Sequence, residues 1–170
     1  MKNIAWLNSL STEHAEGELL KCCGSSRWAR HMVEQRPFRD LAEVLDKAAE
    51  IWWSLSDDDW LEAYRSHPKI GEKKAEQAQA AEAQAWSRQE QSGTSDSAPE
   101  IMAALAEGNE EYLRRFGFIF IICATGKSAE EILARLRERI AHAPVDELRI
   151  AAAEQNQITQ LRLRKLVSGQ

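Results

Sequence analysis

Residues 39–55, RDLAEVLDKAAEIWWSL, decide the fold class, because their apolar side chains recur at the three- and four-residue spacing of an α-helix with one buried face. The residues that this spacing places inward are Leu41, Val44, Leu45, Ala48, Ile51 and Trp52. Asp40 precedes them, and its side chain can accept hydrogen bonds from the free amides of a first helical turn. The stretch is therefore predicted to be one amphipathic helix that begins after Asp40.

The same helical pattern continues toward the N-terminus of the chain. Residues 1–10 predict a short helix, and Ser11 or Thr12 is placed to cap a second one. A third helix carries Trp28 inward and stops at Pro37. The first third of the chain is thus predicted to be entirely helical.

Toward the C-terminus, residues 56–67 begin with three acidic side chains, which a helix dipole favours in its first turn. Residues 73–91 consist almost entirely of good helix formers, and the polar linker 94–100 ends at Pro99 and Glu100, where the next helix starts. Residues 128–140 open on a Ser128–Glu131 capping box. A last helix is predicted over roughly residues 145–167.

Only residues 117–126, GFIFIICATG, have the composition of a β-strand. A lone strand would have no partner elsewhere in this chain, so the segment is predicted to be buried and extended or partly helical. We find no internal repeat and no second domain. The predicted fold is all-α, a single-domain helical bundle of about eight helices over residues 1–170.

Composition excludes several classes of function. A net charge of −5 without a basic stripe argues against a nucleic-acid partner, since phosphate binding depends on clustered Lys and Arg. No apolar run approaches the roughly 20 residues of a membrane span, and the first ten residues do not resemble a secretory signal. The three cysteines cannot form a disulfide framework, so a reducing, cytoplasmic location is expected. No His or Cys pair has the spacing that seats a metal.

His67 is the histidine whose local sequence points to chemistry. Pro68 disfavours helical geometry in the preceding residue, so His67 is predicted to end a helix, with Gly71 free to adopt positive φ. An imidazole on a stiff turn can donate or accept a proton near neutral pH. The alternative is an ordinary histidine that interacts with the C-terminal end of a helix dipole.

Two further segments carry candidate binding groups. On a helix over residues 73–91, Ser87, Glu90 and Gln91 share one face, where they offer a hydroxyl, a carboxylate and an amide to a small polar molecule. The alternative is a solvated helix end. The backbone amides of residues 117–126 could bind carboxylate or carbonyl oxygens, although core packing explains this apolar run equally well.

Four motifs give the chain a resemblance that covers nearly its whole length. They are SHPKIG (66–71), SRQEQSG (87–93), YLRRFGFIFIICATGKS (112–128) and RLRKL (162–166). Their order and spacing resemble those of the 2-oxo-4-hydroxy-4-carboxy-5-ureidoimidazoline (OHCU) decarboxylase family. The resemblance implies an all-helical, commonly homodimeric enzyme of urate breakdown that forms (S)-allantoin from OHCU without a metal or organic cofactor.

The resemblance also implies roles for individual residues. His67 matches the family's catalytic acid/base, with Glu90 assisting it, and Pro68 shapes the pocket. The positions that match substrate-binding residues are Ser87, Gln91, Phe120, Ile121, Ile122, Cys123 and Ala124. Arg162 and Arg139 are competing candidates for holding an anionic or carbonyl group of the substrate.

Two other functions are compatible with the same motifs. A cofactor-free hydrolase acting on a ureide would release ammonia or urea, whereas a decarboxylase releases CO2. A non-enzymatic helical binding module would keep the fold but would not need His67.

The absence of a peroxisomal tail at the end of the sequence favours the bacterial cytosol.

Overall fold

The computed structural model describes residues 1–70, 81–94 and 97–168, and every regular element in these ranges is helical. The α-helices are α1 (Ile4–Ser9), α2 (Thr12–Leu20), α3 (Ser26–Glu34), α4 (Leu41–Ser54), α5 (Asp57–Arg65), α6 (Ala81–Glu90), α7 (Pro99–Phe116), α8 (Ala129–Ile140) and α9 (Pro144–Ser168), and Ser92–Thr94 form one 3-10 turn. The all-α prediction is confirmed, with nine α-helices in the described ranges. No helix within those ranges is both long enough and apolar enough to cross a membrane.

The chain divides into two compact units. The first contains Met1–Ala63 and Asn156–Gln170, and the second contains Tyr64–Gln155. The prediction that residues 1–170 form one domain stays a prediction. Of the candidate site residues, Arg162 belongs to the first unit, and all the others belong to the second.

Helix α4 organises the core of the first unit, as its sequence predicts. Asp40 Oδ1 accepts a hydrogen bond of 2.8 Å from the Glu43 amide, which caps the helix. Trp28 is fully buried, and its indole N–H donates to the Ala48 carbonyl at 3.1 Å. The residues of α4 that are buried are Val44, Leu45, Ala48, Ile51 and Trp52. The Asp40 cap and the hydrogen bond from Trp28 to Ala48 therefore fix the position of this helix.

Cys23 lies in the same core and is 1% exposed. Burial, the largest effect, raises the pKa of its thiol above the ordinary value of 9.0 to about 12. In the unfolded chain the thiol loses its proton near its ordinary pKa, while in the folded protein it keeps it. The stability that Cys23 contributes is therefore complete below pH 9 and is lost as the pH rises toward 12.

We expect the free energy of unfolding to fall with rising pH between 9 and 12, and to fall less steeply in Cys23→Ala than in the unchanged protein. Urea denaturation at several pH values measures both slopes, and Ser26→Ala serves as a control that leaves the thiol in place. Identical pH slopes in Cys23→Ala and the unchanged protein would contradict the assignment.

Aromatic side chains form the core of the second unit, where α7 packs against α8. Tyr112 is fully buried and makes edge contacts with Phe118 and Phe120, at centroid distances of 5.7 and 5.4 Å. Gly117 ends α7 in the left-handed conformation, with φ of 78°, which only glycine adopts without strain. The chain then continues into the apolar segment without forming a helix or strand, and the prediction that this segment is buried is confirmed.

Candidate functional site

The turn that carries His67 follows directly after α5. The helix ends at Arg65, and the His67 amide donates to the Tyr64 carbonyl at 3.2 Å. Pro68 is buried and His67 is half-buried, so the imidazole lies at the edge of the protein interior rather than in bulk solvent. The predicted end of the helix before Pro68 is confirmed. Gly71 lies outside the described residues.

Contacts from α7 and α9 fix this turn on several sides. The Asn109 amide group donates to the Ile70 carbonyl at 3.2 Å, and the Lys69 ammonium donates to the Glu110 carboxylate at 2.5 Å. Directly before the turn, the Tyr64 hydroxyl donates to the Leu148 carbonyl of α9 at 3.0 Å. Residues on either side of His67 are thus hydrogen-bonded to two long helices, which limits the motion of the turn.

The His67 ring itself contacts a residue far away in the sequence. Its Nε2 atom lies 2.6 Å from Oε1 of Gln155, on α9, and Gln155 is fully buried. No motif in the sequence pointed to Gln155. The only available signal was an amide among the apolar residues of the α9 pattern, which is too common to identify a partner.

Two of the three polar residues predicted to share a helix face, Ser87 and Glu90, lie on a buried face of α6. Ser87 is 4% exposed and Glu90 is 8% exposed, while Gln91 directly follows the helix and is half-buried. The alternative of a solvated helix end is therefore wrong for Ser87 and Glu90. A carboxylate is rarely buried without a specific role or partner, so Glu90 is a strong candidate for function. The part of the predicted helix before Ala81 lies outside the described residues.

The end of α6 packs closely against the segment that follows α7. A Cβ atom added at Gly93 would lie only 2.3 Å from the Lys127 carbonyl oxygen. The Glu90 carboxylate also acts electrostatically on the thiol of Cys123, as does Glu154 of α9. Glu90 and Glu154 therefore lie near enough to Cys123 to act on its thiol through space.

This close approach yields a prediction about Gly93. Gly93→Ala should destabilise the protein by about 1–3 kcal/mol, because the new methyl group overlaps a backbone atom that cannot move aside. Gly17→Ala is the matched control, since nothing lies within 4 Å of a Cβ at that helical position, and it should stabilise by about 0.5–1 kcal/mol. Urea denaturation measures both. Equal effects of the two substitutions would contradict the packing described here.

The apolar segment that follows α7 is buried along its whole candidate stretch. Its five candidate residues, Phe120, Ile121, Ile122, Cys123 and Ala124, are each at most 5% exposed. The Lys127 ammonium donates to the Cys123 carbonyl at 2.8 Å. Burial, the largest effect, raises the pKa of the Cys123 thiol, so this side chain is protonated at neutral pH and is a poor nucleophile.

Arg139 lies in a buried polar network with Glu147 at its centre. Its Nε donates to Glu147 Oε1 at 2.5 Å, and its Nη1 donates to the Ile121 carbonyl at 2.6 Å. The Tyr112 hydroxyl donates to the same carboxylate oxygen at 2.6 Å, and His142 Nδ1 lies 3.1 Å from the other one. Burial and the bond to Glu147 raise the pKa of Tyr112, so the hydroxyl stays protonated and keeps donating.

This network gives Arg139 a structural task. Its guanidinium lies over the Phe120 ring at 4.6 Å and binds the carbonyl of the next residue, so it orients the extended segment. Direct contact of Arg139 with a substrate stays a prediction. Arg162 belongs to the first unit, is 2% exposed, and donates from Nη1 to the Lys21 carbonyl at 3.1 Å. Its contact with a substrate also stays a prediction.

Sequence reasoning did not find Glu147 as the centre of this network. In the sequence it is one of two acidic residues in the first turn of α9, which the helix dipole alone explains. In the part of the chain that the structure describes, no three His, Cys, Asp or Glu side chains gather as metal ligands would.

Comparison with known proteins places these residues in a family context. The family model described as OHCU decarboxylase matches residues 8–164. The uric acid degradation bifunctional protein TTL of Arabidopsis thaliana is 38% identical over 94% of this chain, which spans 49% of the plant protein's length. The 2-oxo-4-hydroxy-4-carboxy-5-ureidoimidazoline decarboxylase of Haloferax volcanii is 31% identical over 100% of this chain and 97% of its own.

A solved structure of a related protein has the same fold as this chain. It is a crystal structure of an OHCU decarboxylase in the presence of (S)-allantoin, 39% identical to this chain, with a TM-score of 0.75. The superposition covers 89% of this chain and 97% of that one. Both His67 and Glu90 fall within the residues that the family model matches.

Proposed function

We propose, since the chain belongs to the OHCU decarboxylase family, that it removes CO2 from OHCU and forms (S)-allantoin in urate catabolism. The observation that carries the proposal most directly is the half-buried His67 ring, held at 2.6 Å by Gln155 on a turn that α7 and α9 fix. A proton donor in a restrained position is what a stereospecific protonation requires.

The substrate's own structure supplies the path for the electrons. A carboxylate and a hydroxyl share one ring carbon, and the neighbouring ring carbon is double-bonded to nitrogen. When the bond to the carboxylate breaks, its electron pair forms a carbon–carbon double bond and the imine nitrogen takes up a proton. The resulting enol-like intermediate then gains a proton on carbon and loses its hydroxyl proton, which gives the carbonyl of allantoin. One proton is consumed for each CO2 released.

The protein's residues have separate tasks in this scheme. His67 and Glu90 handle the proton that the ring carbon gains and the proton that the hydroxyl loses. Ser87 and Gln91 donate hydrogen bonds that orient the substrate on α6, and the backbone of residues 120–124 binds its carbonyl oxygens. The apolar side chains of this segment keep water away from the intermediate, so that the proton arrives from the protein and from one face.

Glu90→Gln tests the second proton handler. The substitution keeps the shape of the side chain but removes its ability to accept a proton, so we expect kcat to fall by about 10²-fold or more while KM changes little. Glu107→Gln, at an exposed position of α7, is the matched control and should retain full activity. A Glu90→Gln protein that keeps the native kcat would show that this carboxylate transfers no proton.

We further propose a homodimer in the cytoplasm. The family resemblance supports the dimer, and the three buried cysteines, none of them in a disulfide, fit a reducing compartment. Light scattering coupled to gel filtration measures the mass in solution. A mass near twice 19.2 kDa supports the dimer, whereas a mass near 19.2 kDa contradicts it.

Product analysis tests the proposed reaction itself. Freshly generated OHCU is incubated with the protein, and released CO2, ammonia and urea are each measured against a protein-free control. We expect the protein to accelerate the release of CO2 only. Accelerated release of ammonia or urea would instead identify a ureide hydrolase, and no acceleration of any product would contradict the proposed reaction.

A further inference from the structure

We propose that Gln155 is a positioning residue that holds the His67 ring in the tautomer protonated on Nε2 and so makes Nδ1 the nitrogen that exchanges protons with the substrate. This inference rests on the proposed acid/base role of His67. It adds a residue that lies 88 positions away in the sequence and outside every motif identified there.

The geometry of the contact defines the tautomer. An amide oxygen can only accept a hydrogen bond, so the 2.6 Å approach of Gln155 Oε1 requires a hydrogen on His67 Nε2. In the neutral ring the second nitrogen, Nδ1, then carries the lone pair. The hydrogen bond made by one ring nitrogen commonly determines whether the other nitrogen carries a hydrogen or a lone pair.

The burial of Gln155 makes this restraint a firm one. Its side chain is fully buried, and α9 is continuous from Pro144 to Ser168, so the amide cannot follow a ring that turns away. The Asn109 amide acts on the backbone after His67, at the Ile70 carbonyl, whereas Gln155 acts on the ring itself. Backbone and ring are therefore held independently.

The choice of an amide instead of a carboxylate has a chemical consequence. A carboxylate at this position would stabilise the imidazolium and keep His67 charged. A neutral amide accepts the Nε2 hydrogen in both protonation states and adds no negative charge, so the ring can release a proton to the substrate and take one back. This arrangement suits a group that acts once as acid and once as base in each turnover.

Nitrogen NMR on the unchanged protein tests the tautomer without any substitution. In a long-range ¹H–¹⁵N correlation spectrum, the two nitrogens of a neutral imidazole give distinct shifts that identify the protonated one. The His67 signals are assigned as those missing from the spectrum of His67→Gln. We expect the hydrogen on Nε2, and a neutral ring with its hydrogen on Nδ1 would overturn the proposal.

Substitutions of Gln155 test its effect on the reaction. Gln155→Leu removes the acceptor, and we expect kcat to fall by about 10- to 100-fold with a smaller change in KM, together with His67 ¹⁵N shifts that report a mixture of tautomers. Gln155→Glu keeps the shape and adds a negative charge. It should move the titration of the His67 ring and the pH–rate profile upward by about one to three pH units.

The control is Gln157→Leu, at an exposed position of the same helix, which should leave the kinetics and the spectrum unchanged. A Gln155→Leu protein with native kcat and unchanged His67 shifts would overturn the inference while His67→Gln still abolished activity. If His67→Gln itself kept the native rate and product handedness, the proposed function of His67 would fail first. Gln155→Glu preserves the side-chain volume and serves as the test if Gln155→Leu does not fold.

Discussion

His67→Gln should lower kcat for the decarboxylation of OHCU by about 10²- to 10⁴-fold, the range that general acid/base groups contribute. The amide of glutamine occupies similar space and can keep a hydrogen bond, but it neither releases nor accepts a proton near neutral pH. Stopped-flow measurement of OHCU disappearance gives kcat and KM for both proteins. KM should change far less than kcat, because the lost interaction belongs to the transition state.

The control for this substitution is His14→Gln. His14 is exposed, and its Nδ1 contacts only the Ser11 hydroxyl at the start of α2 among the bonds described, so its replacement should leave kcat unchanged. Circular dichroism of each variant in the far ultraviolet establishes that both are folded. A His67→Gln protein that is folded and retains the native kcat would remove His67 from the mechanism.

Arg139→Met should destabilise the protein by about 3–5 kcal/mol, the cost of removing one partner from a buried ion pair. Glu147 is fully buried, and without Arg139 its remaining partners among the described residues would be the Tyr112 hydroxyl and the half-buried His142 ring. The substitution also removes the donor to the Ile121 carbonyl. Urea denaturation measures the change in the free energy of unfolding.

A double substitution separates the ion pair from the packing around it. Arg139→Met combined with Glu147→Leu leaves no unpaired charge, so it should be more stable than Arg139→Met alone. Arg137→Met, at an exposed position two residues earlier on α8, should change stability by less than about 0.5 kcal/mol. Equal effects of Arg137→Met and Arg139→Met would contradict the network described here.

Much of the fold was predictable because its determinants are local. The spacing of apolar residues in 39–55 and the cap at Asp40 involve residues three or four positions apart, and both are observed. The end of α5 before Pro68 follows from the steric effect of proline on its neighbour. The rejection of a strand over residues 117–126 needed only the observation that no second strand was available.

The site was predictable only in part, because its contacts join distant residues. His67 and Glu90 stand in recognisable motifs, but the partner of His67 on α9 is identified by three-dimensional contact alone. Arg139 illustrates the same limit. The sequence offered it as a substrate ligand, whereas the folded chain surrounds it with Glu147, Tyr112 and the Ile121 carbonyl. The sequence alone does not distinguish an arginine that binds a substrate from one that binds an internal carboxylate.

The handedness of the product tests the central claim most directly. Freshly generated OHCU is mixed with the protein, and circular dichroism follows the appearance of optically active allantoin. In water alone, protonation has no preferred face and gives a product without a signal. We predict that the protein produces the signal of (S)-allantoin as fast as OHCU disappears. A racemic product, formed at the same rate with and without the protein, would contradict a protein-held proton donor.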